Sequence, residues 1–259
     1  MALIECSFYS ESLGLSTAMN VILPQQTSSQ IGMKGKSSKG KFPVLYLLHG
    51  MSDDQTIWCR RTSIERYVAP LGIAVVMPCA GRSFYTDMVC GPKYWTFLSE
   101  ELPAIARSFF PISEKREDNF VAGLSMGGYG AFKLALRKPE NFCFAASLSG
   151  ALDIPGFFKA SSAINEELVN IFGPAKKVTG SDNDLFHLAE KLFKSKKQAP
   201  ALFMSCGTED HLYGSNQKFK KHLEKLKAPF TYDEASGNHE WGYWDLKIQK
   251  VLSFIPLKK

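Results

Sequence analysis

The sequence predicts an α/β fold, a mostly parallel central sheet with helices on both faces. Three observations predict it. Short, near-continuous apolar runs recur at 42–48, 73–77, 120–122, 144–148 and 201–206, and such runs suit strands buried on both faces. Segments of helical periodicity separate them, which is the alternation that builds a parallel sheet. Several runs end in glycine, serine or histidine, and in such sheets reactive groups gather beyond the carboxyl ends of the strands. With 259 residues and 45% hydrophobic content, the chain is long enough to bury one large core. No repeat or break in composition divides it, so residues 1–259 read as a single domain.

Each element has its own warrant. Ile4, Cys6 and Phe8 alternate with more polar neighbours, and residues 17–23 do the same after Leu13-Gly14; together they predict an antiparallel pair at a sheet edge. Residues 25–41, rich in Ser, Gly, Gln and Lys, read as an exposed loop. The run 42–48 is a buried strand ending at His49-Gly50, and 73–77 is another, closed by Pro78. Helical periodicity covers 95–110. The strand 120–122 precedes a helix over 129–137 that Pro139 stops. The strand 144–148 ends at Ser149-Gly150, the strand 201–206 at Gly207. Residues 217–226 are helical, 229–234 form the last strand, and 243–255 close the chain as a helix. Between them, 153–197 lacks a buried strand but carries Phe157, Phe158, Ile164, Leu168, Ile171 and Phe172. This stretch reads either as a crossover with short helices or as a cap-like insertion that shapes a pocket.

Composition narrows the function. The net charge of +6 comes from scattered lysines such as Lys34, Lys36, Lys39 and Lys41, which solvated loops and helix faces explain. A nucleic-acid partner would need a basic stripe interleaved with aromatics, and none is present. No stretch reaches the length of a membrane span. The six cysteines follow no C-x-x-C spacing; several sit in apolar runs as small hydrophobes, which fits a reducing compartment and no bound metal. Residues 1–14 contain Glu5 and Glu11 and no apolar signal-peptide core. The expectation is a cytoplasmic protein without a cofactor, and a homo-oligomer is left open.

The run 120–130 carries the chemistry. Its middle, Gly123-Leu124-Ser125-Met126-Gly127, is G-x-S-x-G between a strand and a helix, the nucleophile elbow of α/β-hydrolases. Ser125 is the candidate nucleophile. A serine hydroxyl needs a base, usually an imidazole oriented by a carboxylate, and in this fold the order is serine, acid, histidine. His239 lies in a small-residue loop after the last strand and is the candidate base. His187 and His222 lie inside helical patterns, and His211 reads as a neighbour of the acid. Asp210, after the 201–206 strand, is the candidate acid, with Glu209 and Asp153 as competitors; Asp182 and Asp184 read as caps or surface groups. An oxyanion needs two fixed N–H donors. Met126, following the nucleophile, and Met51, in the loop after His49-Gly50, fit those places. His49 reads as a residue that holds the loop.

Leu47-Leu48-His49-Gly50-Met51, Phe84-Tyr85-Thr86-Asp87, Gly123–Gly128 and Gly237-Asn238-His239 together resemble the esterase D family, within it the bacterial tributyrin esterase (EstA-type) branch. The resemblance runs from about Phe8 to the C-terminal helix. It implies an α/β-hydrolase fold and a metal-free carboxylesterase acting on short acyl chains, with acetylated carbohydrates and aryl esters among the substrate classes. It implies Ser125, Asp210 and His239 as the triad, Met51 and Met126 as oxyanion donors, and Trp58 and Tyr85 as pocket walls. The family also holds S-formylglutathione hydrolases, which carry a cysteine-threonine step after the oxyanion-loop glycine. Here that segment reads Met51-Ser52-Asp53-Asp54, a departure that weighs against a glutathione thioester. Acyl transfer and feruloyl-ester hydrolysis remain alternatives on the same fold, and a non-catalytic binding module is disfavoured because all three triad residues are in place.

Overall fold

In the computed structural model, which describes residues 1–37, 40–160 and 165–257, eight strands form one sheet. They are β1 (Ala2–Ser10), β2 (Leu15–Leu23), β3 (Val44–Leu48), β4 (Ala74–Pro78), β5 (Asn119–Leu124), β6 (Phe144–Leu148), β7 (Ala201–Gly207) and β8 (Phe230–Ala235). The spatial order is β1-β2-β4-β3-β5-β6-β7-β8. β1 and β2 pair antiparallel with each other, β2 pairs antiparallel with β4, and every later pairing is parallel. The expected edge pair and the parallel body are both present.

The helices are α1 (Ile57–Arg61), α2 (Ile64–Val68), α3 (Tyr94–Thr96), α4 (Leu102–Phe109), α5 (Met126–Arg137), α6 (Ile154–Ala160), α7 (Asn165–Phe172), α8 (Leu185–Phe193), α9 (Tyr213–Lys225) and α10 (Trp241–Phe254). They divide the core in two. Tyr46, Leu48 and Val121 pack with residues of α4, α5, α8 and α9 on one face. Leu45, Leu47, Phe120, Ala122 and Leu124 pack with residues of α1, α2 and α10 on the other. Successive strand residues point to opposite faces, so a sheet covered on both sides needs apolar residues at every position. All of β3 is buried, and each such side chain contributes about 1.5–3 kcal/mol.

Several boundaries differ from expectation, three of them near the site or with a visible cause. β3 begins at Val44, because Pro43 has no N–H to give the ladder and Phe42 leaves the sheet for a bridge to Ile112. The helix expected at 95–110 contains a π-helical turn, Phe97–Glu101, between α3 and α4. α5 starts at Met126, three residues early, and absorbs the glycines that follow the elbow. The 153–197 segment supplies α6, α7 and α8. Leu185, Leu188, Ala189 and Leu192 of α8 are buried in the α5/α9 face of the core. Ile164 and Lys39 lie outside the described residues.

Candidate active site

Ser125 sits where β5 turns into α5, with φ 52° and ψ −117°. A non-glycine residue in that region costs about 1–3 kcal/mol and persists only where its surroundings over-determine it. They do so here. The Ser125 N–H donates to Leu148 O (2.9 Å), and the Ser125 carbonyl accepts from Tyr129 N (3.2 Å) and Ala151 N (3.0 Å). Helix and strand cross so closely that a methyl group on Gly127 would lie 2.5 Å from Leu48 O and 2.7 Å from His49 O. The turn therefore holds the serine side chain at the carboxyl edge of the sheet.

Two loops, after β8 and after β7, bring the partners. His239, between β8 and α10, places Nε2 3.0 Å from Ser125 Oγ. Its Nδ1 lies 2.8 Å from Asp210 Oδ2, so the carboxylate fixes the hydrogen on Nδ1 and leaves Nε2 as the acceptor facing the hydroxyl. Asp210 lies beyond β7 with its side chain buried. Burial by itself would push its carboxyl up. Hydrogen bonds from His239, from Leu212 N–H (2.8 Å) and from the Ser149 hydroxyl outweigh burial and hold it below the ordinary carboxylate range. The Ser149 oxygen in turn accepts from Trp244 Nε1 at 3.1 Å. Ser125, His239 and Asp210 thus stand in a hydrogen-bonded line, the order in which an imidazole oriented by a carboxylate can activate a hydroxyl.

The competing residues are engaged elsewhere. Glu209 turns away from His239 and accepts the Gly237 N–H at 2.5 Å. Asp153 pairs with Lys218 at 2.5 Å. Asp182 pairs with Arg137, and Asp184 caps α8. His222 meets Phe186 O at 3.0 Å. His211 is exposed, with its ring 4.5 Å from that of His239. Asp210, His211 and His239 bring ligand-type atoms within 4.8 Å of one another, but two of the three spend those atoms on each other.

Met126 opens α5, so its N–H is one of the donors a helix start leaves free. Met51 follows β3. Among the described residues, neither amide donates to another protein group. Behind Met51, His49 is buried and clamped. Its Nε2 accepts the Ala80 N–H at 2.9 Å, so Nδ1 carries the hydrogen and donates to Gly50 O at 2.6 Å. Burial pushes this imidazole below its ordinary pKa, which keeps it neutral.

Trp58 and Tyr85, expected at the pocket wall, lie one layer deeper. They are 1% and 0% exposed. Trp58 Nε1 donates to Leu48 O at 3.0 Å and Tyr85 OH to His49 O at 2.7 Å, so both brace the end of β3 from behind. A buried indole or phenol finds a hydrogen-bond partner, and here the partner is the oxyanion-side loop. The open cleft at Ser125, of about 560 Å³, is lined instead by Met51, Leu124, His211, Trp241 and Trp244, with Asp53 and Glu240 as its carboxylates. Among the described residues, none from 153–197 lines it. Sequence reasoning missed Trp241 and Trp244. Their signal was the spacing: two and five residues past His239, on one face of α10, with Trp58 edge-on to Trp241 at 5.2 Å.

Comparison with known proteins agrees with this architecture. Residues 10–255 match the family described as "Putative esterase". An acetyl esterase of Caldicellulosiruptor saccharolyticus is 32% identical over 98% of each chain. A substrate-bound fluorophosphonate-binding serine hydrolase of Staphylococcus aureus superposes with a TM-score of 0.89 at 32% identity, over 99% of each chain. An S-formylglutathione hydrolase of the same species gives 0.85 at 33% identity, over 98% of each. The chain belongs to this esterase family of α/β-fold serine hydrolases and is a carboxylic ester hydrolase.

Proposed function

We propose that the chain is a serine carboxylesterase for short-chain acyl esters, acetyl to butyryl, of the esterase D family and nearest its tributyrin esterase branch. The observation that carries this reading is the line Ser125 Oγ–His239–Asp210, at 3.0 and 2.8 Å, opening on one cleft. Ser125 Oγ attacks the acyl carbon while its proton passes to His239 Nε2. The carbonyl oxygen, now an oxyanion, is held by the Met51 and Met126 N–H groups. The C–O bond to the alcohol breaks, and the alcohol leaves with the proton from His239. Water then repeats the sequence on the acyl-enzyme and frees the acid. Asp210 holds the imidazole and stabilises its charged form throughout.

The substrate is a small neutral ester, acetylated carbohydrates included. Among the described residues, the cleft lining carries Asp53 and Glu240 and no lysine or arginine, so the carboxylates of a glutathione moiety would meet like charge. S-formylglutathione is the second reading, which the Staphylococcus aureus relative favours. The six cysteines, all free thiols, support a reducing, cytoplasmic setting.

Ser125→Ala tests the reading. Turnover of p-nitrophenyl acetate should fall by at least about a thousandfold; wild-type turnover in that variant sinks it. A panel of acyl esters of two to eight carbons, acetylated sugars, methyl ferulate and S-formylglutathione ranks the substrates. A faster rate on S-formylglutathione than on any acetyl ester reverses the preference for neutral esters. Product analysis with a sugar acceptor separates hydrolysis from acyl transfer.

A further inference from the structure

Among the described residues, Lys133 is the largest fully buried side chain able to carry a positive charge, and the proposed chemistry leaves it unused. It lies in the middle of α5 and is 0% exposed. Its Nζ donates to Thr86 Oγ1 at 2.6 Å and to the Tyr85 carbonyl at 3.2 Å, and it faces the rings of Trp95 and Tyr129 at 5.3 and 5.5 Å. Burial pushes the amine well below its ordinary pKa, and a buried amine costs stability unless its hydrogens are placed.

What Lys133 holds is a turn in an unusual conformation. Phe84 and Tyr85 are consecutive non-glycine residues with φ 47° and 52°, a region L-residues avoid. The turn closes on itself through Tyr85 N–H to Ser83 Oγ, Thr86 N–H to Ser83 O, and Thr86 Oγ1 to Phe84 O. Toward the sheet, Tyr85 OH donates to His49 O at 2.7 Å. His49 is the residue whose ring clamps Gly50 O, next to Met51.

α5 therefore grips Tyr85 at two points one helical turn apart. Lys133 holds its carbonyl. Gly130 leaves room for its ring, which a methyl group on Gly130 would meet at 2.6 Å from Cγ. The same helix carries Met126 at its first position. We propose that Lys133 is a positioning residue for the oxyanion loop, so that α5 sets one N–H donor directly at Met126 and the other, Met51, through Lys133, Tyr85 and His49. The inference rests on the reading of Met51 as an oxyanion donor.

An oxyanion donor acts in the transition state, and its loss costs about 100- to 1,000-fold in rate. Displacing it through an intact loop should cost less. Lys133→Met keeps the volume and removes the donor. In folded enzyme, checked by circular dichroism and thermal melting, kcat for p-nitrophenyl acetate should fall about 10- to 100-fold with KM changed less than about threefold. Tyr85→Phe, which deletes only the bond to His49 O, should lower kcat in the same way. The double variant should then be no slower than the slower single variant, because both act along one line. If Lys133→Met does not fold, Thr86→Val, which removes one acceptor of the amine, takes its place in the same cycle. Unchanged kcat, or effects that multiply in the double variant, overturn the inference and show Lys133 to be core structure only. Failure of the underlying reading looks different: Ser125→Ala would keep its turnover, whatever Lys133→Met did.

Discussion

The two loops that meet at the Ser125–His239 hydrogen bond are held by opposite means. On the Ser125 side, every residue from Asn119 to Leu136 is buried except Ser125 itself, and the turn is fixed by backbone contacts and by the absence of side chains. On the His239 side, the loop from Ala235 to Glu240 is largely exposed. Its backbone is pinned by the Thr208 N–H, which donates to Ala235 O at 3.0 Å, and by Glu209, whose carboxylate takes the Gly237 N–H while its own N–H reaches Gly237 O at 3.3 Å. The imidazole is then oriented by Asp210 and flanked by Trp244, edge-on at 4.8 Å. Ser125 is thus placed chiefly by sterics, which allow little give, and His239 chiefly by hydrogen bonds, which can weaken by degrees. Substitutions on the two sides should differ in kind as well as in size.

The largest effect is expected on the steric side. Gly127→Ala puts a methyl group against two backbone carbonyls, Leu48 O and His49 O, which cannot rotate away. Overpacking of this kind costs about 3 kcal/mol or more, and relief requires α5 to move off β3, taking Ser125 with it. Thermal melting should show a large loss of stability and ester turnover should be nearly lost. The matching glycine on the base side is softer. A methyl group on Gly237 would meet the buried ring of Tyr243 at 2.5 Å, and φ 157° there strains any side chain, but no backbone carbonyl blocks it, so Gly237→Ala should cost less stability than Gly127→Ala and leave a reduced rate. Equal damage at the two positions would erase the contrast.

A smaller effect is expected from Glu209→Gln. The amide still reaches the Gly237 N–H but loses the charge that shortens the bond. Loosening the loop spreads the orientations of His239, and kcat should fall about three- to tenfold with KM little changed. A fall as large as that of Ser125→Ala would make Glu209 a participant in proton transfer. No change at all would mean that Asp210 suffices to hold the base.

The same contrast explains how much of the molecule could be read from its sequence. Buried parallel strands announce themselves, because both faces demand apolar residues: β3, β5, β6 and β7 were all visible in this way. The elbow was visible because glycines are forced at fixed offsets from Ser125. His239 and Asp210 were placed by chain order and by following a strand. Glu209 could be named only as a rival to its neighbour, since one residue of register decides which carboxylate turns inward. Trp58 and Tyr85 were recognised as belonging near the site but put in the wrong layer. Their depth depends on β3 carbonyls and on the space at Gly130, partners far along the chain from Tyr85 and invisible to local pattern. The start of α5 was missed because glycine-rich sequence reads as turn, while here each glycine answers a close approach.

The smallest expected effect is on stability in acid, and it concerns the residue that joins the two modes, Asp210. Its side chain is buried, yet hydrogen bonds from His239, Leu212 N–H and Ser149 keep the carboxyl below its ordinary value. In the unfolded chain an aspartate takes up its proton near pH 3.9. A carboxyl with the lower value in the folded state adds stability that is complete above the unfolded value and is lost as pH falls through the folded one. The wild-type melting temperature should therefore drop on acidification from about pH 5 to pH 3, with Asp210 contributing part of the slope. Asp210→Asn cannot titrate, so it should start from a lower melting temperature at pH 7 and fall less steeply over the same range. Parallel curves for the two proteins would mean that the hydrogen bonds to Asp210 do not favour its charged form. Orientation of His239 would then rest on the packing of Trp244 and on the Glu209–Gly237 bond.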